Sequence, residues 1–325
     1  VIKISVIVLS YNQGHYIEQT LCSIIAQKSE VIDVECIVID GGSTDNTLAV
    51  CNKYKNDIIL ISEPDRGVAD AIHKGLRFVS GDIITIQSSD DLYLAGSFKR
   101  VIADFYNSWK IDGNGCMQVY SYFMGSDSDI RKYNLRKWPF KSLTLQQAWV
   151  FASRFYNYST ILASSVPQHA TFFDSRVLKK YSGTATFELD MIADLVFWHR
   201  LISGVSLFKT YTFPVSIYRL HPLQRTASKK ELFFKQLICY LDQVESTVDP
   251  NIVNDLKMFW RRSWLGEPIP KDFTPKILCH LYFLDLLKRG DYIWCLRRID
   301  RNTFIMAKNY LARILHKIIH ATFLK

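Results

Sequence analysis

The chain has 325 residues, 48% hydrophobic and 22% charged, with a net charge of +9. This is a globular composition, large enough for one domain with an appendage or for two domains, and no charge-free apolar run reaches the ~18 residues of a membrane-spanning helix. Seven scattered cysteines, an odd number with no CxxC pair, exclude a disulfide framework or zinc finger and read as reduced thiols of a cytosolic protein.

The first element is the apolar, β-branched run ISVIVL at 4–9, ending in Ser10-Tyr11-Asn12. It is short, with no basic segment before it and no small-residue cleavage site after it, so it reads as a buried strand and not as a signal peptide. Residues 16–28 follow with helical spacing, Ile17, Leu21, Ile24 and Ile25 sharing one face. A second strand, VECIVI at 34–39, ends at Asp40-Gly41-Gly42-Ser43, and a helix is expected from about Thr47 to Tyr54. A third strand, IILIS at 58–62, ends at Glu63-Pro64-Asp65 and leads into a helix over 68–79. The fourth, DIITIQ at 82–87, ends at Ser88-Ser89-Asp90-Asp91. Short strands without polar alternation, alternating with helices, predict a parallel sheet covered on both faces.

Asn12, Asp40, Asp65, Asp90 and Asp91 all stand at strand ends. The carboxyl ends of the strands of an open parallel sheet line its ligand crevice. A single strand-end Asp serves equally well as a helix cap. Four acids meeting in one crevice would repel one another unless a cation or ligand donors share the site, and Asp91 is expected to be solvent-facing there.

Residues 105–165 are rich in aromatics, among them Tyr120, Tyr122, Trp138 and Trp149, read as the core of a second half-domain. After about Arg225 come helix-like segments at 229–247, 251–264, 274–289 and 292–323. From Lys229 onward there are 17 Lys and Arg against 10 Asp and Glu, so most of the basic excess lies in this third. The final stretch, TFIMAKNYLARILHKIIHATFLK, has four Lys and Arg and no acid, with Leu311, Ile314, Leu315 and Ile318 on one helical face. Such a helix fits an anionic membrane surface, or packs on its neighbours with a solvated basic side. No zinc-finger, RNP or helix-turn-helix pattern points to nucleic acid.

SVIVLSYNQGHYIEQTLCSIIAQ, ECIVIDGGSTDNT, SEPDRGVADAIHKGL and GDIITIQSSDDLY, in that order, closely resemble the N-terminal half of family 2 glycosyltransferases. The likeness continues in VPQHATFF at 166–173, in the segment around Asp194 and in YRLH at 218–221. It implies an α/β fold, the glycosyltransferase A-type Rossmann-like, mostly parallel sheet flanked by helices, over residues 1–225, with a helical region at 226–325. It implies Mn²⁺ or Mg²⁺ at Asp91, with Asp90 near the ribose and His221 reaching the metal or pyrophosphate. Ser10, Tyr11 and Asn12 are expected to wall the nucleotide, with Asp40 at the base or ribose, Asp65 at the base and Lys74 near the pyrophosphate. Asp194 is expected to be the base, with Asp190 and Glu188 as rivals; Val196 departs from a usually acidic family position. Gln168-His169 resembles a segment lining the sugar, and Arg219 and Arg225 are further phosphate candidates.

The function implied is inverting sugar transfer from a UDP-sugar or other nucleotide-sugar to a hydroxyl of a glycan or lipid-linked glycan, at a cytoplasmic site or on the inner membrane face. A polyprenyl-phosphate sugar synthase, which needs no base, and a non-catalytic nucleotide-sugar sensor are the alternatives.

Overall fold

The structure is a computed structural model. It describes residues 1–126, 130, 146–148, 166–181, 183, 187–222, 224, 229–244, 253, 254 and 257. The expected helices at 251–264, 274–289 and 292–323, Arg225, Trp138 and Trp149 lie wholly or mostly outside these residues.

The N-terminal half alternates as the sequence predicts: β1 (Ile2–Ser10), α1 (Ile17–Ile25), β2 (Ile32–Asp40), α2 (Thr47–Asn52), β3 (Ile58–Ser62), α3 (Val68–Leu76) and β4 (Ile83–Ser88). Then come β5 (Leu92–Tyr93), α4 (Ser97–Trp109), β6 (Cys116–Ser126), β7 (Gln146–Ala148), β8 (Thr171–Asp174) and α5 (Ser175–Leu178). A kinked 3-10 segment, Phe187–Ile192, leads into α6 (Ala193–Leu201), and β9 (Leu207–Leu220) and α7 (Lys230–Val244) follow.

The nine-stranded sheet has the order β3-β2-β1-β4-β8-β6-β9-β5, with β7 on β6. β1 to β4 are parallel to one another; β8 runs against β4 and β6, and β6 and β9 run together. Six of the nine described strands therefore share one direction, and the three that oppose them, β5, β7 and β8, have at most four residues each.

The two-residue side-chain period sorts the apolar residues of each strand onto opposite faces. Ile4, Val6 and Val8 of β1 join Val34, Cys36 and Val38 of β2 under Ile17, Leu21 and Ile24 of α1, with α2 and α4 beside them. Ile7, Ile37, Ile39, Ile84 and Ile86 face the other way, against Ala71 and Ile72 of α3 and Phe197, Trp198 and Leu201 of α6. Each fully buried side chain of this size contributes about 1.5–3 kcal/mol, which is what holds helices on both faces. α3 approaches so closely that a Cβ on Gly75 would stand 2.4 Å from Ile7 Cγ2. Among the described residues, no helix is long and apolar enough to cross a membrane.

β2 and β4 flank β1 on opposite sides, so the chain reverses its lateral direction at β1. Ser10 pairs with Asp40 and Leu9 with Ser88, which aligns the strand ends along one rim. That rim at the switch point is where an open α/β sheet receives a ligand.

Candidate active site

Beyond β4 the chain turns through Ser89, Asp90 and Asp91 into β5, and distant residues hold the turn. The Thr20 hydroxyl on α1 reaches the carbonyls of Ser89 and Asp91, both at 2.8 Å. Arg219 Nε donates to the Asp90 carbonyl at 2.6 Å, and the Arg219 amide to Asp91 Oδ1 at 2.9 Å. Sheet register explains the meeting: Leu92 pairs with Ile217 and Tyr93 with Ser216, antiparallel, so the pattern continued brings Arg219 to Asp90.

Asp91 is only 1% exposed, not solvent-facing as the sequence implied. β9 covers it, and the 3-10 turn Gln168–Ala170 brings His169 Nδ1 to 3.6 Å from Asp91 Oδ2. Burial, and then the Asp90 charge, push the Asp91 carboxyl well above the ordinary carboxylate range, against the Arg219 amide and guanidinium. Asp90 is the more open of the pair and bonds to His221 Nε2 at 2.9 Å.

The His221 ring lies 4.5 Å from that of Tyr16, and its buried Nδ1 has no hydrogen-bond partner. The His169 ring stacks on Tyr218 at 5.3 Å, meets Tyr122 edge-on at 4.4 Å, and also has an unpartnered buried nitrogen, Nε2. Burial lowers the His169 pKa to about 3, against the pull of Asp90, so the ring is neutral at physiological pH. Arg219, fully buried, also donates to Gln19 Oε1 at 2.6 Å and lies 4.9 Å from the Tyr16 ring centre. Tyr16, Gln19 and Thr20 went unnoticed as site residues in the sequence; of these only Thr20 is buried with the apolar face of α1.

The donor set fits a hard divalent cation. Two adjacent carboxylates, one buried and poorly compensated, stand beside two imidazoles, His221 Nε2 at 2.9 Å from Asp90 and His169 Nδ1 at 3.6 Å from Asp91. Among the described residues, no three His, Cys, Asp or Glu side chains form a complete metal cage. Mg²⁺-type ions bound to nucleotides take one or two carboxylates and fill the remaining positions with phosphate oxygens and water.

On the other side of the rim the loops after β1 and β2 are laced together. Asn12, in the left-handed region at φ 52°, donates its amide to Ser43 Oγ at 2.8 Å and accepts from the Thr44 amide at 2.9 Å. The Gly14 amide reaches Asp45 at 3.0 Å. Although burial opposes it, bonds from Thr47 and Gly14 hold the Asp45 carboxyl below its usual range. Ser10 is buried with its hydroxyl unpartnered, while Tyr11 is 59% exposed on the rim.

Asp40 is fully buried and accepts from the amides of Gly42 and Ser43 and the hydroxyls of Ser43 and Ser62. Its carboxylate therefore shapes its own loop, and the crevice does not gather four free acids. Asp65, half-buried, accepts from the Gly67 amide at 2.8 Å and lies against the backbone of Gly41. Burial raises its carboxyl, helped by Asp70 and Asp190 and opposed by Gly67 and Lys74. Lys74 is engaged on the β3 turn, with Glu63 at 2.9 Å, the Pro64 carbonyl at 3.1 Å and Asp70 at 3.4 Å. These contacts set it beside Asp65 and not at the Asp90–Asp91 pair, three strand positions away.

Asp194 is half-buried in the first turn of α6. Its rival Asp190 lies in the kinked segment before it and accepts from the Val68 amide at 2.6 Å. Glu188 occupies the same segment.

The family profile described as Glycosyl transferase family 2 matches residues 5–180, more than half of the chain. The chain belongs to glycosyltransferase family 2. It is similar to glycosyltransferase GlyG of Streptococcus pneumoniae serotype 4, 31% identical over 140 residues covering 38% of this chain and 44% of GlyG. It is also similar to the chondroitin synthase of Pasteurella multocida, 36% identical over 105 residues covering 31% of this chain and 11% of the synthase. The matches thus span less than half of these relatives' lengths. Among solved structures, TarS 1-349 of S. aureus matches with a TM-score of 0.57 at 17% identity, over 87% of this chain and 79% of that one. The TarS 1-349 complex with UDP-GlcNAc matches with a TM-score of 0.54 at 16% identity, over 90% of this chain and 80% of that one. At such identity the likeness concerns the fold, which is the glycosyltransferase A-type fold expected from the sequence.

Proposed function

We propose that this chain transfers a sugar, with inversion, from a nucleotide-sugar to an acceptor hydroxyl. The observation that carries the reading is the Asp90-Asp91 turn at the rim switch point, closed in by Arg219, His221 and His169. A structure of this fold bound to UDP-GlcNAc makes UDP-sugars the first donors to test.

In this reading the nucleotide lies across the rim from Asp65 to Asp90. Ser10, Tyr11 and Asn12 wall it, Asp65 faces the base, Asp40 holds the loop that meets the base or ribose, and Asp90 faces the ribose. Lys74, engaged on the β3 turn beside Asp65, serves the base end of the nucleotide in this reading and not its phosphates. Mn²⁺ or Mg²⁺, held by Asp91 with His221 beside it, supplies when bound the positive charge that favours departure of the nucleotide diphosphate. The Asp194 carboxylate takes the proton of the acceptor hydroxyl. As that oxygen bonds to the anomeric carbon from the opposite face, the bond to the diphosphate oxygen breaks and the nucleotide diphosphate leaves as an anion.

Residues 1–225 are proposed as the catalytic domain and 226–325 as a helical region that bears on the acceptor. Relatives named as chondroitin and hyaluronan synthases support a glycan acceptor. The basic C-terminal third supports a lipid-linked acceptor met at an anionic membrane surface on the cytoplasmic side. The test is turnover of a UDP-sugar panel by the full chain with Mn²⁺. Metal-dependent release of UDP is expected, lost with chelator and restored by added metal. Equal turnover with and without chelator would remove the metal from the reading.

A further inference from the structure

The turn at 65–68 and the segment before α6 are 122 residues apart in sequence, yet they form one joint. Two successive backbone amides of the turn are each taken by an acid: Gly67 by Asp65 Oδ1 at 2.8 Å and Val68 by Asp190 Oδ1 at 2.6 Å. Gly67 adopts φ 107°, and a Cβ there would stand 2.1 Å from Asp190 Oδ1, so only glycine allows the carboxylate this approach. Beside it the Arg66 guanidinium lies 3.5 Å over the Phe187 ring. The opposite side of the segment is also held: the Met191 amide donates to Gln236 Oε1 of α7 at 2.7 Å. Leu189, Ile192 and Leu195 pack there on Leu237, Tyr240 and Leu241. Asp194 is the second residue of α6, immediately beyond this clamped segment.

We propose that Asp190 is a positioning residue, a latch that ties the nucleotide-side turn at 65–68 to the segment carrying Asp194, so that donor binding at the turn sets the place of the base. The proposal rests on the roles given above to Asp65 and Asp194. It gives Asp190 a role other than that of the base, through the bond its Oδ1 accepts from the Val68 amide. A ligand that orders the turn orders the segment through the same bond, and α7 supplies the fixed wall on the far side.

The test uses the full chain. Asparagine at position 190 keeps an oxygen that accepts from Val68 but cannot take a proton at neutral pH. Asp190→Asn is expected to hold kcat within about threefold of wild type, whereas Asp190→Ala lowers it about a hundredfold and raises the donor KM, as misplacing a catalytic group by about 1 Å does. Hydrogen exchange gives a readout independent of turnover: in Asp190→Ala, amides at 65–70 and 187–194 are expected to exchange faster, and added UDP, expected to slow exchange at 187–194 in wild type, is expected to have no such effect there. Asp190→Asn as inactive as Asp194→Asn would overturn the latch, because Asp190 would then handle the proton. So would Asp190→Ala with wild-type kcat and unchanged exchange. If wild type turns over no nucleotide-sugar, the proposed function fails, and exchange without UDP still decides the latch: faster at both segments supports it, unchanged overturns it.

Discussion

Asp194, in the first turn of α6, is proposed to take the acceptor proton. Asp194→Asn removes a proton acceptor while keeping size and shape, so UDP affinity by calorimetry should stay at the wild-type value while transfer falls by about 10²–10⁴-fold. Lost UDP affinity with transfer retained would move the base elsewhere. The site was legible in the sequence where it depends on local chain: Asp90-Asp91 follows an apolar strand directly and could be placed from position alone. What depends on distant chain was not legible. Nothing near Asp91 signals that Arg219 and His169 will bury it, because both arrive through strand pairings and a turn formed about 80 to 130 residues later. Asp40 misled in the same way: its partner Ser62 lies on the next strand, so a strand-end acid looked available when its oxygens were already shared out.

At the scale of elements, the four apolar strands and their helices were readable because each signal is local: an apolar run, then 3.6-residue spacing. β5 to β9 were not: β5, β7 and β8 are strands of two to four residues that carry no period, and the sequence reading placed no strand over the longer β6 and β9 either. The parallel core is tied at its other end by Glu35 of β2. It accepts from the Ser5 hydroxyl of β1, at 2.5 Å, and from the amide and hydroxyl of Ser80 before β4, at 2.8 and 2.6 Å. Burial would raise the Glu35 carboxyl from its ordinary 4.5, but these bonds and the Lys3 charge outweigh it and hold it lower. A depressed folded-state value means a stability contribution present above the ordinary value and lost as pH falls through the lower one. Glu35→Gln should therefore melt below wild type at neutral pH, with the gap closing as the pH is taken down to about 3. Thermal melts across that range check this, and a constant gap would show that the Glu35 charge contributes nothing.

At the scale of the whole molecule, the expected 229–247 helix appears as Lys230–Val244, docked on the segment before α6. The sequence could place that helix but not its berth, because Leu237, Tyr240 and Leu241 show which face is apolar and not what covers it. The basic final stretch, beyond the described residues, is proposed to meet a membrane surface. Four basic residues at roughly 1 kcal/mol each near an anionic leaflet, screened by salt, with an apolar face beside them, should give reversible binding. The full chain should sediment with anionic vesicles at low salt and be released at high salt, and truncation after Asn302 should abolish this while leaving donor hydrolysis. A full chain that ignores anionic vesicles at every salt concentration would remove the membrane from the account.

The central claim is that the Asp90-Asp91 turn is where a nucleotide-sugar is cleaved. The most direct measurement is UDP release from the donor that wild type prefers, compared between wild type and Asp91→Asn under saturating Mn²⁺, with circular dichroism to establish that the buried substitution leaves the fold intact. Losing a ligand whose metal contributes several kcal/mol predicts a fall of about a thousandfold or more. A folded Asp91→Asn that releases UDP at nearly the wild-type rate would contradict the account.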